Sequence, residues 1–184
     1  MNKKHRILGI DPGTNVLGFS IIQVENNQLA LVEFGVVSMK HLSSQQLKLK
    51  KIFERLQELI AQHNPSQVAI EAPFYGKNVQ SMLKLGRAQG VAIAAAITKG
   101  IKVTEYSPKK IKQSITGNGN ASKEQVAAML CNILHEKFDD KLLDATDALA
   151  TAVCHYYQSS SLFSGKKKYN DWSGYVKDNP GKVS

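Results

Sequence analysis

The chain has little cysteine, no long apolar run and no repeated segment, and each absence narrows what it can be. Two cysteines, Cys131 and Cys154, stand in 184 residues, both inside apolar helical patterns. They are too few for a disulfide framework and lack the partners of a zinc site. Buried thiols in a reducing cytoplasm are the expectation. No apolar stretch reaches the ~18 residues that cross a bilayer. The basic start, Met1 to Arg6, leads into an apolar stretch that breaks at Asp11-Pro12-Gly13, which is not the build of a signal peptide. No interdomain linker divides the chain, and its length suits one domain with a sizeable core. Acidic residues are in the minority, 15 against 24 lysines and arginines, for a net charge of +9. That surplus suits a polyanionic partner, although it serves solubility as well.

What is present is an ordered alternation of patterns. Residues 5–11, 16–24 and 28–38 read as strands, the last two joined by a turn at Glu25-Asn26-Asn27. Leu49, Ile52, Phe53, Leu56, Leu59 and Ile60 form one apolar helical face that Pro65 ends. Val68 to Glu71 is a short buried strand, 79–99 a helix, and 101–106 another strand. A short helix follows Ser107-Pro108. A longer one opens at Ser122-Lys123-Glu124-Gln125, which fits a capping box. The last helix covers about 143–157. Together these describe one α/β domain with a mixed sheet. Gly86 and Gly90 share a face of the 79–99 helix, either for tight packing inside the monomer or for self-association. From residue 159 the chain turns polar, with five lysines and two aspartates through Ser184. One domain over 1–158 and a basic, flexible tail over 159–184 are expected.

Four acids interrupt apolar runs: Asp11 after Ile7 to Ile10, Glu71 after Val68 to Ile70, and Asp144 and Asp147 among Leu143, Ala145, Ala148 and Leu149. A carboxylate beside core residues is costly to desolvate, and several together repel. Hard divalent cations, Mg²⁺ or Mn²⁺, compensate such clusters. Asp11 and Glu71 end strands, where α/β sheets build their sites. Asp144 and Asp147, three apart, share one face of a helix. Two metal ions held this way could clamp an in-line phosphoryl displacement. Taken singly, Asp11 could be only a turn residue and Asp144 only a helix cap.

Lys109 and Lys110, after Pro108, and Lys123, after Ser122, stand at helix starts where cations oppose the helix dipole. An anion at the same place reverses that sign, so these lysines read as phosphate contacts rather than as stabilising features. Phe74 and Tyr75, just after Glu71, could stack on bases. His155 shares the face of Asp144, yet eleven residues put it ~16 Å along the helix. It is expected to be structural.

In order along residues 6–157, Gly9-Ile10-Asp11-Pro12-Gly13-Thr14, Ala69-Ile70-Glu71, Lys77-Asn78, Leu83 to Gly90, Lys112-Gln113 and Asp144 to Ala150 resemble the RuvC Holliday junction resolvases. The resemblance implies an RNase H-like fold, a mixed five-stranded sheet flanked by helices. It makes Asp11, Glu71, Asp144 and Asp147 the catalytic, metal-binding carboxylates for two Mg²⁺ ions, with Mn²⁺ a substitute. It marks Lys112 and Lys123 as lysines near the site, Phe74 as a base-stacking residue, and Lys77, Asn78 and Arg87 as further DNA contacts. It also implies a cytoplasmic homodimer that nicks a four-way DNA junction symmetrically, leaving 5′-phosphate and 3′-hydroxyl ends, alongside the branch-migration proteins RuvA and RuvB. The family varies between Asp and His where Asp144 stands, and Pro73 occupies a place where more familiar members lack proline. Three other readings stay open at this point: an RNase H-like nuclease of RNA or hybrids, a non-catalytic junction-binding module, and an actin-like ATPase. The last needs two phosphate loops and about twice the length.

Overall fold

The computed structural model describes residues 4–73, 78–136, 138 and 143–163, with the backbone alone at 143, 144 and 161–163. Three strands come first: β1 (His5–Asp11), β2 (Val16–Glu25) and β3 (Gln28–Ser38). Helix α1 (Gln45–His63), β4 (Gln67–Glu71), α2 (Val79–Ile97) and β5 (Lys102–Tyr106) follow, then α3 (Pro108–Thr116), α4 (Lys123–Leu134) and α5 (Leu143–Phe163). The sheet runs β3-β2-β1-β4-β5. Its first three strands pair antiparallel, while β4 lies parallel to both β1 and β5. The mixed five-stranded sheet expected from the sequence is present.

Local chemistry explains the boundaries. Asn26 and Asn27 both take positive φ, 53° and 61°, as a two-residue turn matched to strand twist requires. Ser44 caps α1 by accepting from the Leu47 amide, and Asn64 closes it in the left-handed region one residue before Pro65. At α4 the capping box forms in full between Ser122 and Gln125. Helix α5 continues to Phe163 rather than ending near 157, so the expected domain boundary at 158 falls inside a helix. Most of the tail lies outside the described residues.

Each face of the sheet has its own core. Leu8, Ile10, Val68 and Ile70 pack with Ile52, Leu56 and Leu59 of α1 and Ala88, Ala92 and Ala95 of α2. Ile7, Ile22 and Ala69 pack with α3, α4 and α5 through Ile111, Ile115, Leu130, Leu149 and Val153. Cys154 is buried here as expected, whereas Cys131 is only half-buried. No helix among the described residues is long and apolar enough to cross a membrane.

Helix α5 crosses the sheet very closely. A methyl group at Gly9 would overlap the Ala148 carbonyl oxygen and lie 2.7 Å from Ser20 Oγ and 2.8 Å from Ala152 Cβ. The Ser20 hydroxyl donates to that carbonyl at 3.0 Å in a fully buried hydrogen bond. Glycine at 9 and alanine at 148 and 152 therefore set the depth of the helix on the strands. We expect Gly9→Ala to destabilise the fold by ~1–3 kcal/mol through overpacking, lowering Tm by ~2–4 °C for each kcal/mol. Calorimetry checks this, and an unchanged Tm would show that the crossing tolerates a larger gap.

Candidate active site

Residues alternate faces along a strand. Asp11, in phase with Ile7 and Gly9, therefore belongs to the α5 side of the sheet, as does Glu71, in phase with Ala69. The register Ile10↔Ile70 sets these two acids side by side at the C-terminal ends of parallel neighbours. The chain leaves β1 through Pro12-Gly13, where a Cβ on Gly13 would collide with the Val16 carbonyl. The turn can therefore fold back at once and leave the strand end open.

Asp147 joins them from above, on the part of α5 held down at Ala148. Glu71 carries the electrostatic record of the cluster. Its carboxyl is pushed up from 4.5 to about 8, first by burial, then by the charges of Asp11 and Asp147, while Lys123 and Lys112 pull the other way. Lys123, the first residue of α4, places its Nζ 2.5 Å from Asp147 Oδ2. Lys112 comes from the middle of α3. The structure thus gathers Asp11, Glu71, Asp147, Lys112 and Lys123 in one place.

Asp144 lies in the first turn of α5 with its side chain outside the described residues, as are Phe74, Tyr75 and Lys77 altogether. Asn78 is exposed and caps α2, accepting from the Ser81 amide at 3.0 Å. Arg87 is exposed on α2. The Lys109 stem packs on Gly119. Lys110 acts on Cys154, whose thiol is raised by burial and lowered in part by that lysine's charge.

His155 is structural, as expected. Tyr106 Oη lies 2.8 Å from Nδ1, and Nε2 lies 3.1 Å from Gln67 Oε1. Burial lowers the His155 pKa, and burial raises Tyr106 to about 12. The neutral phenol therefore donates to Nδ1, and Nε2–H donates to the amide oxygen.

A cleft of about 160 Å³ opens at the strand ends, lined by Asp11, Pro12, Glu71, Ala72, Pro73, Leu85 and Gln89. Leu85 and Gln89, one turn apart on α2, were not foreseen as site residues. A signal existed: Gln89 is a polar residue on the apolar Ala88–Ala92 face of α2.

No group of three histidine, cysteine or acidic side chains among the described residues converges as a metal cage. The donor chemistry nonetheless fits a hard cation. Acidic oxygens are crowded until one of them holds its proton, and added positive charge relieves that strain.

Comparison with known proteins settles the family. The family described as "Crossover junction endodeoxyribonuclease RuvC" matches residues 7–155. The chain belongs to the RuvC family. A relative of that name from Cytophaga hutchinsonii is 58% identical over 96% of this chain and 87% of its own length. One from Christiangramia forsetii is 55% identical over 96% and 92%. The structure of Thermus thermophilus RuvC in complex with a Holliday junction substrate superposes with a TM-score of 0.78 at 31% identity, covering 85% of this chain and 96% of that one. The observed α/β architecture is the RNase H-like fold expected of the family.

The raised Glu71 has a thermodynamic consequence. Between pH 4.5 and about 8 the folded, metal-free chain holds a proton that the unfolded chain has released. Its contribution to stability is complete below pH 4.5 and is lost as pH rises through about 8. Glu71→Gln is neutral throughout and should flatten that part of the profile. Melting curves in chelator from pH 5 to 9 check this; equal slopes in both proteins would place Glu71 outside an uncompensated cluster.

Proposed function

We propose that the chain is a Holliday junction resolvase whose active site is the acid cluster at the ends of β1 and β4. The observation that carries this reading is the pairing of Asp11 and Glu71 on parallel strand ends, beneath Asp147 and flanked by two lysines, in a member of the RuvC family. Asp11, Glu71, Asp147 and Asp144 would hold two divalent cations, Mg²⁺ or in its place Mn²⁺. Bound there, such ions neutralise phosphate charge and make water a better nucleophile. The chain's own residues prepare the rest. Burial and the neighbouring acids keep Glu71 protonated near neutral pH, so metal binding must expel that proton. Lys123 neutralises Asp147 in the resting site, and once that acid is engaged its ammonium is within reach of a phosphate oxygen. Lys112 adds charge on the same side. Phe74 is assigned to base stacking and Tyr75, Lys77, Asn78, Arg87, Lys109 and Lys110 to further DNA contact, and the products carry 5′-phosphate and 3′-hydroxyl ends.

A four-way junction offers two equivalent strands, which calls for two copies of the site. Helix α2 carries a stripe suited to that pairing. Val79, Leu83 and Ile97 are 67%, 52% and 58% exposed, and Gly86 and Gly90 on the same line have nothing within 4 Å of where a Cβ would be. Tight packing inside the monomer, one of the two sequence readings for these glycines, is therefore not their role. A homodimer joined along this stripe, acting in the cytoplasm with RuvA and RuvB, completes the proposal.

A mobile four-way junction incubated with the protein and Mg²⁺ should be nicked at paired positions. Asp11→Asn, Glu71→Gln and Asp147→Asn should each abolish nicking while gel-shift affinity for the junction persists, because phosphate contacts supply most of the binding. Titration calorimetry of Mg²⁺ into wild type near pH 7, in buffers of different ionisation enthalpy, should report proton release that Glu71→Gln lacks. Near-normal nicking by Asp11→Asn or Glu71→Gln would sink the assignment. Leu83→Glu should turn a dimer into monomers by sedimentation; an unchanged mass would move the interface elsewhere.

A further inference from the structure

Gln89 has no role in the chemistry so far, yet it is 7% exposed and lines the cleft beside both strand-end acids. We infer that this cleft takes the nucleobase next to the cleaved phosphate, and that Gln89 reads its edge. The inference rests on the junction-cleaving role proposed above and assigns a base-selecting residue within that site.

The orientation of the amide is set from outside the cleft. Gln89 Nε2 lies 2.6 Å from Glu105 Oε2, on the neighbouring strand β5. A carboxylate accepts and does not donate, so the nitrogen must face it, and the carbonyl oxygen is held away. No other polar group of the described residues bonds to this amide. Gln89 therefore keeps one acceptor and one N–H in fixed positions, the pair with which glutamine addresses a base edge bidentately.

The walls exclude the alternative occupant. Asp11 and Glu71 line the space and Glu105 lies behind the Gln89 amide, so an anion entering beside Gln89 would meet acidic oxygens. A neutral planar ring would not, and Pro12, Pro73 and Leu85 offer it apolar contact. The acids lie toward the α5 side of the sheet and Gln89 toward the α2 side. A nucleotide whose phosphate rests on the acids can thus send its base across the strand ends.

The test compares cleavage rates, not affinities. A set of four-way junctions, identical except for the base at each position flanking the cleaved phosphate, is cut in single turnover at saturating wild type, Gln89→Leu and Glu105→Gln. Wild type should favour one base at one flanking position, and Gln89→Leu should compress that preference by about tenfold. Glu105→Gln leaves Gln89 in place but loosens its orientation, so it should compress the same preference by a smaller factor. It decides the matter if Gln89→Leu is too poorly folded to cut. A merely structural Gln89 would lower all rates together and leave their ratios intact, which overturns the inference, as does a wild type indifferent to the flanking bases. A wild type that cuts no junction at all would instead overturn the proposed function.

Discussion

The close crossing of α5 over β1 is the constraint on which the site depends. Gly9 has no side chain, Ala148 and Ala152 have the smallest, and Ser20 ties the Ala148 carbonyl to β2. With anything larger at these positions, α5 would ride higher on the sheet. Asp147, one residue before Ala148, would rise with it, away from Asp11 and Glu71. Packing between the helix and the sheet, by side chains that carry no charge, thus fixes how closely the acids meet.

That closeness is electrostatically unfavourable, and the fold manages it in two ways. A proton stays on Glu71 because burial and two neighbouring carboxylates disfavour its charge. Lys123 meanwhile lies against Asp147. Both arrangements are reversible, which distinguishes them from a permanent buried ion pair. A structural salt bridge would neutralise the cluster as well, but it would leave no demand for a cation.

Much of this was legible in the chain. Strand and helix identities follow from apolar period, and the Asn26-Asn27 turn, the Ser122 capping box and the Pro65 stop follow from local chemistry that tertiary packing had no reason to override. Asp11, Glu71 and Asp147 were visible because an acid inside an apolar run stands out. Gln89 was not singled out, because one amide in an alanine-rich helix reads as tolerated surface until the helix is phased against the sheet. Arg87 shows the converse. It sits in the same motif, two residues away and therefore roughly 160° around the helix from Gln89, so motif membership alone did not distinguish an exposed side chain from one lining the cleft. The depth of α5 was equally hidden, since glycine in a strand signals close approach without naming what approaches.

Helix α2 presents its Val79–Ile97 stripe outward and its Leu85–Gln89 edge to the cleft. In the proposed homodimer, with two copies meeting along that stripe, the same rigid rod would be both the seam of the pair and a wall of each reaction chamber. No hinge then intervenes between the two chambers. Their separation becomes a property of how two helices pack, as fixed as the spacing of teeth in a gear. A junction would have to adapt its arms to that span rather than the enzyme to the junction, and a tilt of either helix would be felt in both chambers at once.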